Sequence, residues 1–332
     1  MENKLYKSKI LFITPSFFDY EKEIKAKLEE RGYKVDLYDD RPTNKSLGKI
    51  LIRINPRLLS FVIHRYYKQI ILENKDKNYD YIFFIKCESP LKKDLELLKR
   101  AFPNAKFILY MYDSISNIKY YSMKKQYFDD IFTFDYEDAI SNFEMKFRPL
   151  FYLDCYSGEK KENNEYEYCF IGSCHSDRPK IINNLLSQVD QKNNYFRMYV
   201  PSKIVNIIKT IFDKDFRELK KKNIITLEKI SSEEVSNIYG KSKIIIDIQH
   251  PLQSGLTMRT IEVLGLKKKM ITTNEGIKKY SFYSKNNIEI LNRKNPIISD
   301  SFIETNYEEL DTQVYEDFSL DNWVTEIFGG RN

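Results

Sequence analysis

Short apolar runs alternate with segments of helical spacing along the first half of the chain. Residues 9–14 (KILFIT) predict a buried strand, and residues 21–31 have the apolar spacing of a helix that ends at Gly32. Further strands are predicted at 35–38, 81–85, 107–112, 131–134 and 151–153, and helices at 91–101 and within 45–75, broken at Asn55-Pro56. Because this alternation is typical of parallel sheets covered by helices on both faces, the first half is predicted to be an α/β domain.

A polar stretch, residues 157–167 (SGEKKENNEYE), separates this half from a second one. It has no apolar periodicity, so we predict an interdomain linker. The alternation then resumes, with strands predicted at 168–172, 196–200, 224–227, 243–248 and 269–272, and helices at 178–186, 203–212, 232–239 and 257–264. Ser231 and Glu234 have the spacing of a capping box, which predicts a helix start there.

Two α/β halves joined by one linker predict two Rossmann-like domains with a cleft between them. The predicted division is an N-terminal domain over 1–156, the linker over 157–167 and a C-terminal domain over 168–316. Residues 317–332 contain a short amphipathic helix with Trp323, which is predicted to pack back on the N-terminal domain. Because ligands bind beyond the carboxyl ends of parallel strands, two such edges are expected to form a two-substrate site.

Composition excludes several classes of protein. The 332 residues are 42% hydrophobic and 31% charged, which excludes a wholly disordered chain. The net charge of +6 is mild and dispersed, so no nucleic-acid partner is predicted. Four cysteines without a CxxC pair predict no disulfide framework, and three histidines alone predict no metal site. With no signal peptide and no run of membrane-spanning length, the expected location is the cytoplasm.

The most informative segment for chemistry is 245–274. A predicted strand ends near residue 248, and a helix begins near Thr257, where unpaired backbone N–H groups attract an anion. Arg259 lies in the first turn, where the helix dipole disfavours a cation unless an anion shares the site. One interpretation is a diphosphate held by this turn, with Glu262 accepting hydrogen bonds from a ribose. The alternative is an ordinary surface ion pair between Arg259 and Glu262.

This segment resembles the donor-nucleotide motif of GT-B glycosyltransferases, the class with two Rossmann domains. In that motif a Glu and a Gly are followed by a second Glu, eight positions after the first. Ser254, Gly255 and Glu262 occupy these places, and the following strand end with Thr273 also matches.

A longer run resembles one branch of this class more closely. The sequence GLTMRTIEVLGLKKKMITTN, followed by Tyr280, Phe282 and Tyr283, is similar to the CgeB-like glycosyltransferases of bacterial capsule and lipopolysaccharide biosynthesis. FIGS at 170–173 opens the C-terminal domain in the same family.

The resemblance implies the GT-B fold and a nucleotide-diphosphate sugar as donor. It also implies a surface glycan as acceptor and metal-independent transfer without a cofactor. In retaining enzymes of this class an acid stands where this chain has Ser254, so the sequence favours inversion.

Other candidate donor contacts follow predicted strands. Gly172 and Ser173 end the first strand of the second half, where glycine either lets a backbone approach a ligand or turns the chain. His250, after the strand at 243–248, is expected to touch the donor or its phosphate, whereas His64 in an apolar helix is expected to be a packed histidine. Arg178 either faces phosphate or is solvated.

An inverting transfer needs a base that deprotonates the acceptor hydroxyl. Asp113, directly after the strand FILYMY, is the first candidate; alternatively it caps a helix that starts at residue 116. Asp135, after IFTF, is the second choice, and Glu88 is the third. The segment 15–17 after the first strand is expected to line the acceptor pocket.

Two further features bear on partners. The DxD motif Asp213-Lys214-Asp215 lies at a predicted helix end beside a lysine run, the wrong place for a diphosphate-bound cation, so no metal is predicted. The basic stretches 220–222 and 267–269 and the basic, apolar residues 53–67 are expected either to be solvated or to dock weakly on an anionic membrane. Membrane docking would suit a lipid-linked acceptor.

The sequence therefore predicts a glycosyltransferase of hexosyltransferase type that acts on a growing surface glycan. Two rivals stay open. One is a nucleotide-sugar epimerase on the same fold, which needs several acids around the donor sugar. The other is a non-catalytic nucleotide-sugar or glycan-binding protein, which needs no working base.

Overall fold

The computed structural model describes residues 8–17, 19–158, 164–189, 193–251 and 254–329. The chain divides into two compact units: unit 1 comprises Met1–Pro149 and Trp323–Asn332, and unit 2 comprises Leu150–Asn322. The centre of the predicted linker, residues 159–163, lies outside the described residues.

Unit 1 contains a six-stranded sheet in which every pairing is parallel, in the order β2-β1-β3-β4-β5-β6. Its strands are β1 (Ser8–Thr14), β2 (Tyr33–Asp39), β3 (Tyr81–Ile85), β4 (Lys106–Met111), β5 (Asp130–Thr133) and β6 (Met145–Phe147). Its helices are α1 (Tyr20–Glu30), α2 (Ser46–Ile54), α3 (Ser60–Asn74), α4 (Lys92–Ala101), α5 (Tyr121–Lys124) and α6 (Tyr136–Ser141).

The apolar runs of unit 1 form its core as the pattern predicts. Residues 10–14 of β1 and all but the first residue of β3 and of β4 are buried, because helices cover both faces of a parallel sheet. Gly32 follows α1 with a φ of +87°, so the predicted helix end is confirmed. Between α2 and α3 lies a 3-10 turn, Pro56–Leu59, at the predicted break.

Unit 2 contains a second parallel sheet, in the order β9-β8-β7-β10-β11-β12. Its strands are β7 (Tyr166–Ser173), β8 (Asn194–Tyr199), β9 (Ile225–Thr226), β10 (Ser242–Asp247), β11 (Lys269–Thr272) and β12 (Ile288–Ile290). Its helices are α7 (Arg178–Leu186), α8 (Lys203–Phe212), α9 (Lys214–Lys221), α10 (Ser232–Gly240), α11 (Met258–Gly265), α12 (Asp300–Glu304) and α13 (Thr312–Glu316). Ser231 Oγ accepts a hydrogen bond from the backbone N–H of Glu234 at 3.2 Å, so the predicted start of α10 is confirmed.

One predicted strand is wrong. Residues 151–153 form no strand of either sheet; Tyr152 makes only an isolated bridge to Ser319. The sixth strand of unit 1 is instead β6, whose sequence MKF is too short and too polar to stand out as an apolar run.

The last helix, α14 (Leu320–Phe328), brings the chain back to unit 1 at Trp323. The Trp323 ring centroid lies 4.8 Å from that of Tyr110 and 6.1 Å from that of Phe83. Phe328 packs edge-on against Phe83 at 5.2 Å. None of the helices in the described ranges is long and apolar enough to cross a membrane.

Candidate functional site

The strand order of unit 2 reverses between β7 and β10. Successive strands extend from β7 to one side and from β10 to the other. In α/β proteins, ligands bind in the crevice beyond the carboxyl ends of the two strands at such a switch point. Residues 174–177 lead from β7 into α7. Residues 248–251 and 254–257 lie between β10 and α11, and they include His250, Ser254, Gly255 and Thr257 of the predicted donor-binding residues.

Arg259 and Asp247 form a buried ion pair at this edge. Nη1 of Arg259 lies 2.9 Å from Oδ1 of Asp247, and the two side chains are 10% and 0% exposed. Nε of Arg259 donates to the carbonyl oxygen of Ile171 at 2.9 Å and to the hydroxyl of Tyr239 at 3.1 Å, and Nη2 also donates to Ile171. Burial opposes the cation, but Tyr239, Asp247 and Glu262 outweigh burial and raise the pKa of Arg259. The guanidinium is therefore a fixed positive charge.

Gly172 has no side chain, which leaves room for the guanidinium of Arg259 and lets that of Arg178 come close to it. A Cβ atom at this position would lie 2.5 Å from Nη2 of Arg259 and 3.4 Å from Nη1 of Arg178. Arg178 is buried, and it donates to the carbonyl oxygens of Ile248 and Ser173 at 2.7 and 2.9 Å. Burial, followed by the charge of Arg259, lowers the pKa of Arg178 to about 9, so it stays charged at neutral pH. Two guanidinium groups held this close oppose each other's charge, and an anion at this edge would offset that repulsion.

Two histidines lie at the same edge, one from each loop. The ring centroids of His175 and His250 are 5.5 Å apart. Burial, followed by Arg178, His250 and Arg259, lowers the pKa of His175 to about 3, so its imidazole is neutral at physiological pH. A neutral imidazole can still donate one hydrogen bond to a phosphate oxygen.

Arg293 brings a third guanidinium from the segment that follows β12. Its Nε and Nη2 donate to the two carboxylate oxygens of Asp177 at 2.8 and 2.7 Å. Nη1 donates to the hydroxyl of Thr273 at 3.3 Å, and Nη2 donates to the carbonyl oxygen of Gln249 at 2.9 Å. Arg293 therefore ties the start of α7 to the ends of β10 and β11.

Thr257 fixes the start of α11. Its Oγ1 accepts a hydrogen bond from the N–H of Thr260 at 3.2 Å and donates to Oδ1 of Asp247 at 2.9 Å. Ser254 is exposed and Gly255 is buried, and their carbonyl oxygens accept from Asn274 Nδ2 at 3.5 and 3.3 Å. The predicted donor motif is thus anchored to β10 on one side and to the end of β11 on the other.

Two of the sequence interpretations are wrong. Arg259 and Glu262 do not form an ordinary surface pair, because both are 9% exposed and Arg259 pairs with Asp247. Arg178 is buried rather than solvated. The remaining predicted donor contacts, Gly172, Ser173, His250, Ser254, Gly255, Thr257 and Thr273, all lie at this edge, and their contact with a ligand stays a prediction.

Sequence reasoning missed Asp247 and Arg293. The sequence does contain a signal for Asp247. It lies inside the apolar run KIIIDI, and a carboxylate buried in such a run needs a partner. Arg293 had no local signal, since its partner Asp177 lies 116 residues earlier in the chain.

The DxD acids serve local structure. Asp213 caps α9 by accepting from the N–H of Phe216 at 3.0 Å, and Asp215 accepts from Asn183 Nδ2 at 3.1 Å. Among the described residues there is no group of three or more His, Cys, Asp or Glu side chains that could hold a metal ion.

The carboxyl edge of the unit 1 sheet carries a second polar cluster. Lys86 and Cys87, directly after β3, have φ values of +71° and +52°, which side chains rarely adopt. Nζ of Lys86 lies 3.0 Å from Oδ2 of Asp113 and 3.9 Å from Oε1 of Glu88. Strained backbone persists where the surroundings impose it, often at functional sites, so this turn marks a candidate acceptor site.

Glu88 is a buried carboxylate among cations. Its oxygens lie 3.8 Å from Nη1 of Arg41 and 3.6 Å from Nε of Arg53. Oε2 of Glu88 and Nε of Arg41 are both inaccessible and have no hydrogen-bond partner within the described part of the chain. Buried polar atoms of this kind need a partner, which a ligand or water can supply.

Asp113 does not cap a helix. Its Oδ1 accepts from the N–H of Ser114 at 3.1 Å and from Asn117 Nδ2 at 2.7 Å. The segment predicted as a helix is a single 3-10 turn, Ile115–Asn117, whose N-cap is Ser114, so that alternative is wrong. At 32% exposure, the Asp113 side chain is accessible to a ligand.

Asp135, by contrast, is the buried N-cap of α6. Its Oδ1 accepts from the N–H groups of Glu137 and Asp138 at 3.0 and 3.4 Å, and its Oδ2 accepts from Ser114 Oγ at 2.7 Å. Asp135 is 1% exposed, which makes it a poor base for a bound acceptor.

The segment after β1 presents an aromatic ring to this edge. The Phe17 ring lies 4.6 Å from Tyr112 and 5.6 Å from Tyr20, while Ser16 Oγ donates to Glu21 at 2.7 Å. Its contact with an acceptor stays a prediction.

Two other predicted features have structural roles. His64 is held by Asp94, with Nδ1 2.9 Å from Oδ1, as expected for a packed histidine. Within the stretch 267–269, Lys269 is not solvated, because it is buried and donates to the carbonyl oxygens of Phe302 and Thr305, whereas Lys267 and Lys268 are partly exposed.

The sequence matches no family model and no curated protein. Solved structures do match it. A glycosyltransferase from Rickettsia africae ESF-5 superposes with a TM-score of 0.61 at 16% identity, over 98% of this chain and 100% of that chain. HepE from Anabaena, in complex with UDP and glucose, gives 0.61 at 11% identity over 98% and 100%. TarM gives 0.57 at 9% identity over 99% of each chain. With two six-stranded parallel sheets matched along nearly its whole length, this chain has the two-domain α/β fold of GT-B glycosyltransferases.

Proposed function

We propose that this protein is a glycosyltransferase that moves a sugar from a nucleoside-diphosphate donor to a hydroxyl of a glycan acceptor. The observation that carries the proposal is the close approach of the Arg178 and Arg259 guanidinium groups beside Gly172, at the switch point of unit 2. A diphosphate is the anion that suits two guanidinium groups next to a helix start.

The donor groups of Arg259 support this assignment. A guanidinium has five N–H donors. Nε of Arg259 donates to Ile171 and Tyr239, Nη1 donates to Asp247 and Nη2 donates to Ile171. One N–H on each Nη atom is therefore left for phosphate oxygens. The solved HepE complex contains UDP and glucose, and we propose a nucleotide of the same kind here. In this proposal His250 and Thr273 also contact the donor, and Glu262 binds the ribose.

Asp113 is the proposed base. It takes the proton of the acceptor hydroxyl while that oxygen attacks the anomeric carbon. The bond between this carbon and the phosphate oxygen breaks, and the nucleoside diphosphate leaves with both electrons of that bond. Arg178, Arg259 and the start of α11 stabilise its added negative charge, so the proposal requires no metal. We favour inversion because Ser254 supplies no carboxylate beside the donor sugar.

We propose a surface glycan of capsule or lipopolysaccharide type as acceptor, on the CgeB-like resemblance of residues 255–274. A lipid-linked acceptor suits the surface of α2, the turn Pro56–Leu59 and α3. Residues 45–72 contain six basic and no acidic side chains. Leu47, Ile54, Leu58 and Phe61 on this surface are at least 61% exposed. Such a surface favours peripheral contact with an anionic membrane from the cytoplasmic side.

The direct test is nucleotide release. Purified protein is incubated with UDP-glucose, UDP-galactose, UDP-N-acetylglucosamine, GDP-mannose and TDP-rhamnose, with and without a bacterial glycolipid extract. We expect one donor to release its diphosphate faster with the extract, and Asp113→Asn to slow release by at least about 100-fold while the diphosphate still binds. Binding without release would favour a non-catalytic nucleotide-sugar protein. Conversion of the sugar without release would favour an epimerase.

A further inference from the structure

Helix α8 turns its apolar side to solvent. Ile204, Ile207, Ile208 and Ile211 recur at spacings of three and four residues and are at least 50% exposed, and Phe212 is 82% exposed. None of the ten residues of α8 is fully buried. An apolar stripe with this spacing ordinarily faces a protein core. Helix α8 therefore presents to solvent the side that such a helix ordinarily buries. An exposed apolar patch of this kind marks an interaction surface.

The inversion is fixed by contacts on the other side of the helix. Val205 packs against the core of unit 2. Ser202 caps the start of α8 by accepting from the N–H of Val205 at 3.2 Å. At the other end, Nη1 of Arg217 donates to the carbonyl oxygens of Thr210 and Ile211 at 3.2 and 2.7 Å. Both ends of α8 are held in place. The isoleucines are therefore exposed on an intact helix, and fraying is not the cause of their exposure.

The charges around this face identify its partner. Residues 203–222 contain seven Lys or Arg and three Asp or Glu, and α8 itself contains lysines but no acid. A second copy of the chain would bring one basic region against another. The anionic headgroups of a lipid bilayer are complementary to it, and a bilayer accepts one convex amphipathic helix without requiring a matching groove.

We propose that α8 lies in the headgroup region of an anionic membrane, with its isoleucines in the acyl boundary. This contact is separate in sequence from the basic surface of α2 and α3. Helix α8 follows β8, whose end neighbours residues 174–177 at the proposed donor site through the hydrogen bond from Cys174 N to Tyr199 O at 2.8 Å. One consequence rests on the proposed function. With α8 bound to a membrane, the donor site stays beside the surface that presents a lipid-linked acceptor.

The test is flotation of the full chain with vesicles of phosphatidylcholine alone or with about one third phosphatidylglycerol. We expect binding to the anionic vesicles that weakens with salt. The double variant Ile208→Ser/Ile211→Ser should bind at least about tenfold more weakly, because it removes two large apolar side chains from the bilayer boundary. Phe143→Ser, which changes a fully exposed aromatic residue outside any helix, is the matched control and should bind like the parent chain.

Because the altered side chains are exposed, both variants should keep the melting temperature of the parent chain. An unchanged melting temperature shows that a variant is folded. The proposal is overturned if the parent chain ignores anionic vesicles or if the α8 variant binds as well as the control. It is also overturned if the parent chain is a dimer that the α8 variant converts to a monomer, since the face would then join two copies. Vesicle binding needs no donor or turnover, so its failure is distinct from a failure of the transferase proposal.

Discussion

The carboxylate of Asp247 holds Arg259 in place at the carboxyl edge of the second sheet. Besides the 2.9 Å contact with Nη1 of Arg259, Asp247 accepts from the hydroxyls of Thr257 and Thr260 at 2.9 and 2.8 Å. One buried acid therefore fixes the end of β10, the start of α11 and the guanidinium that faces the proposed diphosphate. The site is preorganised before any ligand binds.

Asp247→Asn should destabilise the fold. The substitution leaves the buried Arg259 cation without its counter-charge, and breaking a buried ion pair costs about 3–5 kcal/mol of unfolding free energy. Denaturant unfolding measures this loss. The control is Asp177→Asn, whose pair with Arg293 is partly exposed and should cost less than about 1 kcal/mol. Equal losses for the two variants would contradict the account.

Gly172→Ala should impair both folding and nucleotide binding. The added methyl group would lie 2.5 Å from Nη2 of Arg259, so one of them must move. Such overpacking costs about 1–3 kcal/mol, to be measured by denaturant unfolding. We expect the affinity for UDP or another diphosphate to fall by at least about tenfold, because displacing Arg259 removes its charge-assisted hydrogen bonds to phosphate. Retention of both stability and affinity would show that Arg259 does not need this space.

His175 should report an anion beside it. Its pKa of about 3 in the free protein results from burial and from the neighbouring cations, and a bound diphosphate favours the charged imidazole. Nucleoside diphosphate binding should therefore raise the pKa of His175. Proton NMR titration follows it readily, since the chain has three histidines. A pKa that stays unchanged at saturating diphosphate would place the anion elsewhere.

The same histidine predicts a pH dependence of stability. An unfolded imidazole titrates near 6.5, so the unfolded chain binds more protons than the folded chain as the pH falls from about 6.5 towards 3. His175 therefore lowers stability progressively through this window and has little effect above it. His175→Gln should make the acid-side decline shallower in denaturant unfolding between pH 7 and pH 4. Parallel curves for the variant and the parent chain would count against a buried neutral His175.

Substitutions of Asp113 and Asp135 should distinguish a catalytic base from a helix cap. Asp113→Asn should lower the turnover number by at least about 100-fold, as expected for loss of a general base, with nearly unchanged stability. Asp135→Ala should instead cost about 1–2 kcal/mol in unfolding free energy, because α6 loses its N-cap. Steady-state kinetics and denaturant unfolding of both variants decide the assignment. A loss of turnover confined to the Asp135 variant would reverse it.

Periodicity predicts the architecture well because each strand and helix carries its own apolar pattern. The runs KILFIT, YIFFI and KIIIDI are buried strands, as predicted. The wrong strand prediction arises because a segment can be buried without belonging to a sheet. Residues 151–153 are apolar and buried, yet they pair through one isolated bridge. In the opposite sense, β6 is a strand with only one buried residue.

The site is less accessible to sequence reasoning because distant pairs build it. The spacing of residues 254–262 predicts where Arg259 stands, but not its partner Asp247 across the helix start. Asp177 and Arg293 are brought together only by the order of strands in the sheet. The apolar face of α8 has the periodicity of a core helix, so its exposure follows from packing alone.

Calorimetric titration tests the central claim most directly. UDP, GDP, TDP and ADP are titrated into the parent chain, into Arg178→Gln and into the control Arg100→Gln, an exposed arginine on α4. We expect one diphosphate to bind the parent chain and the control equally. Arg178→Gln should weaken this binding at least about tenfold, through the loss of charge-assisted hydrogen bonds. Absence of binding by every diphosphate at millimolar concentration, or binding that Arg178→Gln leaves unchanged, would contradict a donor site at the β7 and β10 edge.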